Sequence, residues 1–277
     1  MTADLPRAGA AGAAGAGTAG RSPLRRWWDL VTMLAWRDIR IRYKQSVMGL
    51  LWAVLMPALV VGAGVAVQFG LGWYAGRRVD TQNLAAVAVK SVPWAFFVAS
   101  LRFATNSLIA NRELVTKVYL PREVFPVAAV LSQCADFAVA AAVLTVILAV
   151  AGVGLSAALW WVPLLLVGLV ALCLGLGMFL SAAALFFRDV KYLVDVVITF
   201  AVFFTPVFYP VEIFGRHQAA ALLNPVAPLV VGLAGAVVSG RPPDPGWTAY
   251  ALGVSAACCF GGVLAFRRLE PWFAERI

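Results

Sequence analysis

The sequence predicts an all-α integral membrane protein. It should have six transmembrane helices, an N-terminal amphipathic interface helix and re-entrant structure between spans five and six. Three observations predict this. The 277-residue chain is 62% hydrophobic and only 13% charged, against about 25% charged residues in ordinary soluble domains. Several uncharged runs reach the roughly 20 residues needed to cross a bilayer core. The net charge of +9 is also unevenly distributed along the chain, concentrated beside certain runs and sparse beside others.

Residues 1–24 are rich in Ala and Gly and lack the Leu-rich core of a secretory signal, so a disordered cytoplasmic tail is expected there. Residues 25–45 form the interface helix. At about 100° per residue, Trp27, Leu30, Val31, Leu34 and Ile41 share one side, and Arg26, Asp29, Arg37, Arg40 and Lys44 the other. Asp38 breaks the apolar side and Arg42 sits at its edge. Such a helix lies in the membrane interface, apolar groups down and basic groups toward phosphates.

The six-span domain occupies residues 46–267, with spans at 47–72, 92–110, 125–152, 159–187, 191–210 and 247–266. Lys90 precedes the second span and Arg102 interrupts it. Val226 to Ser239, with Pro225 and Pro228 at its entry, is too short for a span and fits a re-entrant or interfacial segment. Residues 268–277 are a cytoplasmic C-terminal tail. With the N-terminus inside, 16 basic residues fall on inner segments and five (Arg77, Arg78, Lys90, Arg216 and Arg241) on outer ones. This obeys the positive-inside rule, so the basic excess is topological and no nucleic-acid partner is implied.

No GxxxxGK[ST] phosphate loop occurs, and none of the four lysines follows a glycine. The chain therefore cannot hydrolyse ATP in the P-loop manner, and any ATP-driven motor is a separate polypeptide. Cys134, Cys173, Cys258 and Cys259 lie in apolar runs without metal-ligand spacing, and His217 is the sole histidine. No metal, cofactor or catalytic group is expected. Asp136 and Asp195 are isolated intramembrane carboxylates, each calling for a nearby Arg or a water path.

Two inner loops are polar. In Asn111–Pro126, Leu114 interleaves with Glu113, Lys117, Arg122 and Glu123, which suits docking in a partner's groove or a solvated loop. Phe186–Tyr192 carries Arg188 and Asp189. In the fifth span, Phe200, Phe203, Phe204 and Phe208 form an aromatic stripe, with Tyr209 off it near the outer end. The stripe suits either lipid-facing packing or stacking on the apolar faces of sugar rings. Pro206 and Pro210 bend or end that helix.

Three blocks, "WRDIRIRYKQSVMGLLWAVLMP", "VPWAFFVASLRFATNSLIANRELVTKVYLPREVFP" and "FFRDVKYLVDVVITFAVFFTPVFYP", together resemble the permease subunit of bacterial polysaccharide ABC exporters. That family moves lipid-linked O-antigen, teichoic acid and related glycans, and the resemblance covers residues 25–267. It implies a homodimer in the bacterial cytoplasmic membrane, bound to two copies of a separate ATPase, with both termini cytoplasmic. It places Arg37, Arg40, Arg42, Tyr43 and Lys44 of the interface helix beside the lipid-linked substrate's entry. On the sugar-stacking reading of the stripe, Phe200, Phe203, Phe204, Phe208 and Tyr209 line the substrate path. Glu113, Leu114, Lys117, Arg122, Glu123, Arg188 and Asp189 fall on the ATPase-coupling surface. The segment after Tyr209 would form short outer-face helices. Arg102 departs from the small polar residue expected at its position.

Three other classes compete with this reading. A membrane enzyme acting on polyprenyl-linked sugars would cluster its acids, which are scattered here. A secondary transporter or channel would show repeated halves and more intramembrane charge. A drug or lipid ABC exporter permease of the same fold is, with that membrane enzyme, the alternative, and the "RYKQSVMGLLWAVLMP" block argues against it in favour of a glycan.

Overall fold

The computed structural model describes residues 22–44, 51–74, 76, 80–117, 120–154 and 156–275. Most of the N-terminal tail, the 45–50 junction, Arg77, Arg78 and Arg276 lie outside the described residues. Among those described there are helices and turns and no strand.

The helices are α1 (Pro23–Lys44), α2 (Leu51–Tyr74), α3 (Thr81–Ala110), α4 (Arg112–Lys117), α5 (Val124–Val150), α6 (Trp161–Phe186), α7 (Val190–Phe204), α8 (Gln218–Leu222), α9 (Val226–Val238) and α10 (Pro245–Leu269). Short 3-10 turns occupy Ala157–Trp160, Val211–His217 and Glu270–Glu275. Four helical runs, at 81–110, 124–150, 157–186 and 245–273, are long and apolar enough to cross a membrane. Shorter apolar helices stand at Ala58–Tyr74 and Val226–Val238.

Two departures from hydropathy have local causes. Helix α3 begins eleven residues before the expected start of the second span. Asp80 caps it by accepting the Gln82 backbone N–H at 3.3 Å, and Lys90 continues the helix because its charge has partners inside the protein. Helix α7 is shorter than expected, with 15 residues. It stops because Pro206 holds the preceding residue extended, and Thr205 sits at φ −112°, ψ 129°.

Two buried clusters organise the chain. The larger runs through the middle and joins α3, α5, α6 and α9 around Leu165, Leu169, Leu172, Leu229 and Val230. The second gathers one end of the molecule. There Val31 and Leu34 of α1 meet Val115 of α4, Phe125 of α5, Ala182 of α6, Phe266 of α10 and Phe273. At the opposite end, Ser156 donates to the Ala236 carbonyl at 3.3 Å, and the Tyr250 hydroxyl to the Leu223 carbonyl at 2.7 Å. Successive long helices thus run between an α1 end and an α9 end.

Helices α6 and α10 pack closely because glycines allow their backbones to touch. A Cβ on Gly175 would lie 2.2 Å from the Cys258 carbonyl oxygen, and one on Gly262 only 2.1 Å from the Gly175 oxygen. Small residues at such crossings replace the hydrophobic driving force that lipid cannot supply.

Candidate transport surfaces

Helix α1 packs on the bundle with the side that the sequence reads as membrane-facing. Trp27, Leu30, Val31 and Leu34 turn inward onto α5 and its neighbours, whereas Ile41, expected on the same side, is exposed. The two interruptions of that side explain the rotation. Asp38 pairs with Arg37 at 2.8 Å, and Arg37 also donates to Asn111 Oδ1 at 2.7 Å. Arg42 pairs with Asp136 of α5 and lies 4.5 Å from the Phe103 ring centroid. The Tyr43 hydroxyl donates to the other Asp136 oxygen. Burial, then the Asp136 carboxylate, pushes the Tyr43 phenol up, so it stays a donor.

Of the five expected entry residues, Arg42 and Tyr43 are therefore spent on holding α1 to α5, because an intramembrane carboxylate needs partners. The outward face of α1 is a shallow groove of about 300 Å³ lined by Met33, Trp36, Arg37, Arg40, Ile41 and Lys44. There the Arg40 guanidinium lies 5.9 Å from the Trp36 ring centroid. Arg40 and Lys44 keep their charges at this outer surface, beside apolar side chains.

The aromatic stripe is shorter than its spacing suggests. Phe200, Phe203 and Phe204 share an exposed face of α7, whose buried residues are only Val194 and Ile198. Phe208 leaves the stripe because the helix has already ended. Its ring packs toward α2 at Gly64, where an added Cβ would come within 2.8 Å of it. Tyr209 donates to the Phe203 carbonyl at 2.6 Å and meets the Phe214 ring edge-on at 5.5 Å.

The non-helical stretch after α7 is held by side chains from three other elements. Gln68 of α2 donates to the Phe208 carbonyl at 2.7 Å, and Asn224 to Thr205 Oγ1 at 2.8 Å. Lys90 of α3, 5% exposed, donates to the carbonyls of Pro206 and Tyr209 at 2.7 and 2.9 Å. Carbonyls freed by a proline break need donors in an apolar setting, and a buried ammonium needs acceptors, so each satisfies the other. Sequence reading places Lys90 in an outer segment. The breaks expected at Pro206 and Pro210 are the trace of this contact in the sequence, since they free carbonyls that need donors.

The expected coupling residues separate into two groups. Glu113 and Lys117 are exposed on α4, 3.5 Å apart, and Arg188 and Asp189 are exposed at the α6–α7 turn. Leu114 packs beside the second cluster. Arg122 and Glu123 instead brace the C-terminal segment. Arg122 donates to the Glu270 carbonyl at 2.9 Å and approaches the Phe273 ring, while Glu123 pairs with Arg267 at 3.3 Å. Both groups belong to the α1 end. The second isolated carboxylate, Asp195, pairs with Arg102 at 2.9 Å.

A bundle of apolar helices with an amphipathic helix laid across one end is the architecture of a multi-pass membrane protein. The chain belongs to the ABC-2 type transporter family, whose profile matches residues 29–238. Permeases of this family work with ATPase subunits. Among its relatives, an O-antigen export system permease protein RfbA of Klebsiella pneumoniae is 28% identical over 206 residues, which is 73% of this chain and 78% of the relative. The protein of the same name from Myxococcus xanthus is 26% identical over 258 residues, 90% of this chain and 95% of the relative. The resemblance carried by the three sequence blocks is borne out.

Proposed function

We propose that the chain is the permease subunit of an ATP-driven exporter that moves a lipid-linked polysaccharide, of O-antigen or teichoic-acid type, across the bacterial cytoplasmic membrane. It spans the membrane six times, with α2 and α7 joining the four long runs. It works as a homodimer with two copies of a separate P-loop ATPase. The α1 end, with both termini, is cytoplasmic, and α8 and α9 lie at the outer face. The observation that carries this reading is the match to O-antigen export permeases along nearly the whole chain. The outward groove of α1 supports it: Arg40 and Lys44 over Met33, Trp36 and Ile41 suit a lipid carrying phosphate.

The test is export in cells lacking the chain. Surface glycan should be lost and lipid-linked polymer should accumulate inside, with both effects reversed by supplying the chain, but not in cells that also lack the ATPase. Normal surface glycan in the deletion strain would end this reading. A Trp272→Cys variant without the native cysteines should react with thiol reagents only from the cytoplasmic side.

A further inference from the structure

Arg102 and Asp195 form an ion pair in an unusual place. Arg102 lies eight residues before the end of α3, about 12 Å along the helix at 1.5 Å per residue. Asp195 lies five residues into α7, about 8 Å from its start. On the proposed topology the pair therefore lies inward of the cytoplasmic helix ends, toward the apolar slab. Yet the two side chains are 47% and 55% exposed. Charged groups at that depth do not face lipid tails. They border a cleft of about 450 Å³ together with Asn106, Lys191 and Tyr192. Thr199 accepts from Arg102 at 3.5 Å and donates to the Asp195 carbonyl at 2.7 Å. Lys191 stands at the mouth, 4.7 Å from the Tyr192 ring centroid.

We infer that this cleft is a water-filled polar station on the export path, where Arg102, Asp195 and Asn106 hydrogen-bond sugar hydroxyls of the passing polymer and Tyr192 offers its ring. The inference rests on the proposed glycan export. The chemistry matches that substrate. A carboxylate accepts from hydroxyls, a guanidinium donates to them, and an amide does both. The pair keeps an acceptor and a donor side by side at the cleft wall. Because the pair is exposed to water, its groups exchange partners easily, as a path that must release each sugar requires. The aromatic face of Phe200, Phe203 and Phe204 continues from this station along α7.

The experiment uses the permease–ATPase complex in inverted membrane vesicles, with the native cysteines replaced. Asn106→Cys and Thr199→Cys should react with a charged, lipid-insoluble thiosulfonate, while the lipid-facing control Val146→Cys reacts only with a lipid-soluble maleimide. Protection of Asn106→Cys and Thr199→Cys from the charged reagent would overturn the proposal, since lipid or a second copy would then cover the cleft. The double variant Arg102→Gln/Asp195→Asn should assemble and hydrolyse ATP while export falls about tenfold, the loss expected for one hydrogen bond to a charged group. The swap Arg102→Asp/Asp195→Arg keeps the ion pair and moves its donor and acceptor. Export restored by the swap would reduce the pair to a structural strut and overturn the station. If the wild-type complex exports no glycan, the function proposal fails, whereas the labelling result still reports whether the cleft holds water.

Discussion

At the scale of single residues, the isolated charges of an apolar chain mark its internal joints. Asp136 takes Arg42 and Tyr43, Asp195 takes Arg102, and Lys90 takes two carbonyls. Around Arg42 the joint is dense. Ser132 Oγ lies 3.5 Å away, and Gln133, with its amide oxygen toward Arg42, accepts from both terminal nitrogens at 3.1 and 2.6 Å. The pair is only about one-fifth exposed, so removing one partner strands the other. Asp136→Asn is expected to destabilise the chain by about 1–3 kcal/mol in detergent and to loosen α1. The double variant Arg42→Gln/Asp136→Asn should recover part of that loss. Thermal unfolding with proteolysis near Arg25 and Arg26 measures both. With Arg42→Gln alone completing the cycle, a double-variant loss equal to the sum of the two single losses would mean the pair contributes no coupling. The sequence shows that Asp136 and Asp195 need partners, because burial of charge is a general cost. Which arginine serves which acid depends on residues 94 and 93 positions apart (42 to 136, 102 to 195), beyond the reach of any local pattern.

Among the helices, what could be read in advance is what acts locally. Apolar runs outline the helices, and the proline after Thr205 ends α7, since both effects are confined to a few residues. The side of α1 that packs was legible, but not that it meets protein, because Trp28, Met33, Trp36 and Ile41 supply a second apolar surface and periodicity cannot say which of two faces lipid. The α6–α10 crossing was hidden, although its signal is present. Gly168 and Gly175 recur on one face of α6, where a Cβ would meet Leu252 at 2.6 Å and the Cys258 oxygen at 2.2 Å. Gly175→Ala should therefore destabilise the bundle by about 1–3 kcal/mol, the usual cost of overpacking a tight contact, and more if the helices separate. Gly253→Ala on α10 has open space around it and provides the control. It should be neutral or stabilise by up to about 1 kcal/mol. The readout is the midpoint of thermal unfolding for the two variants side by side. Similar midpoints would show that α6 and α10 can part at little cost.

For the whole molecule, the α1 end brings together segments that lie far apart in sequence: α1, the loop around α4, the α6–α7 turn and the C-terminal residues 266–273. A motor that grips any one of them can move several long helices at once. This end also divides residues of similar appearance into two roles. Arg122 and Glu123 face inward and hold the C-terminal segment, whereas Glu113 and Lys117 project from α4 in a weak surface pair. The division yields opposite expectations for two charge reversals. Arg122→Glu sets a carboxylate against the Glu270 carbonyl and should destabilise the permease itself by about 1–3 kcal/mol, before any partner is considered. Among the described residues the Glu113 side chain pairs only with exposed Lys117, so Glu113→Arg should leave unfolding within about 0.5 kcal/mol of wild type. On the proposed reading, Glu113→Arg still breaks the machine, because opposing like charges at an interface can cost several kcal/mol. The permease should insert and dimerise normally while the ATPase no longer copurifies, or hydrolyses without export. Pull-down of the ATPase, unfolding of the purified permease and surface glycan, measured on one set of strains, separate the cases. Full ATPase retention and full export with Glu113→Arg would move the coupling surface off α4 and onto the Arg188–Asp189 turn.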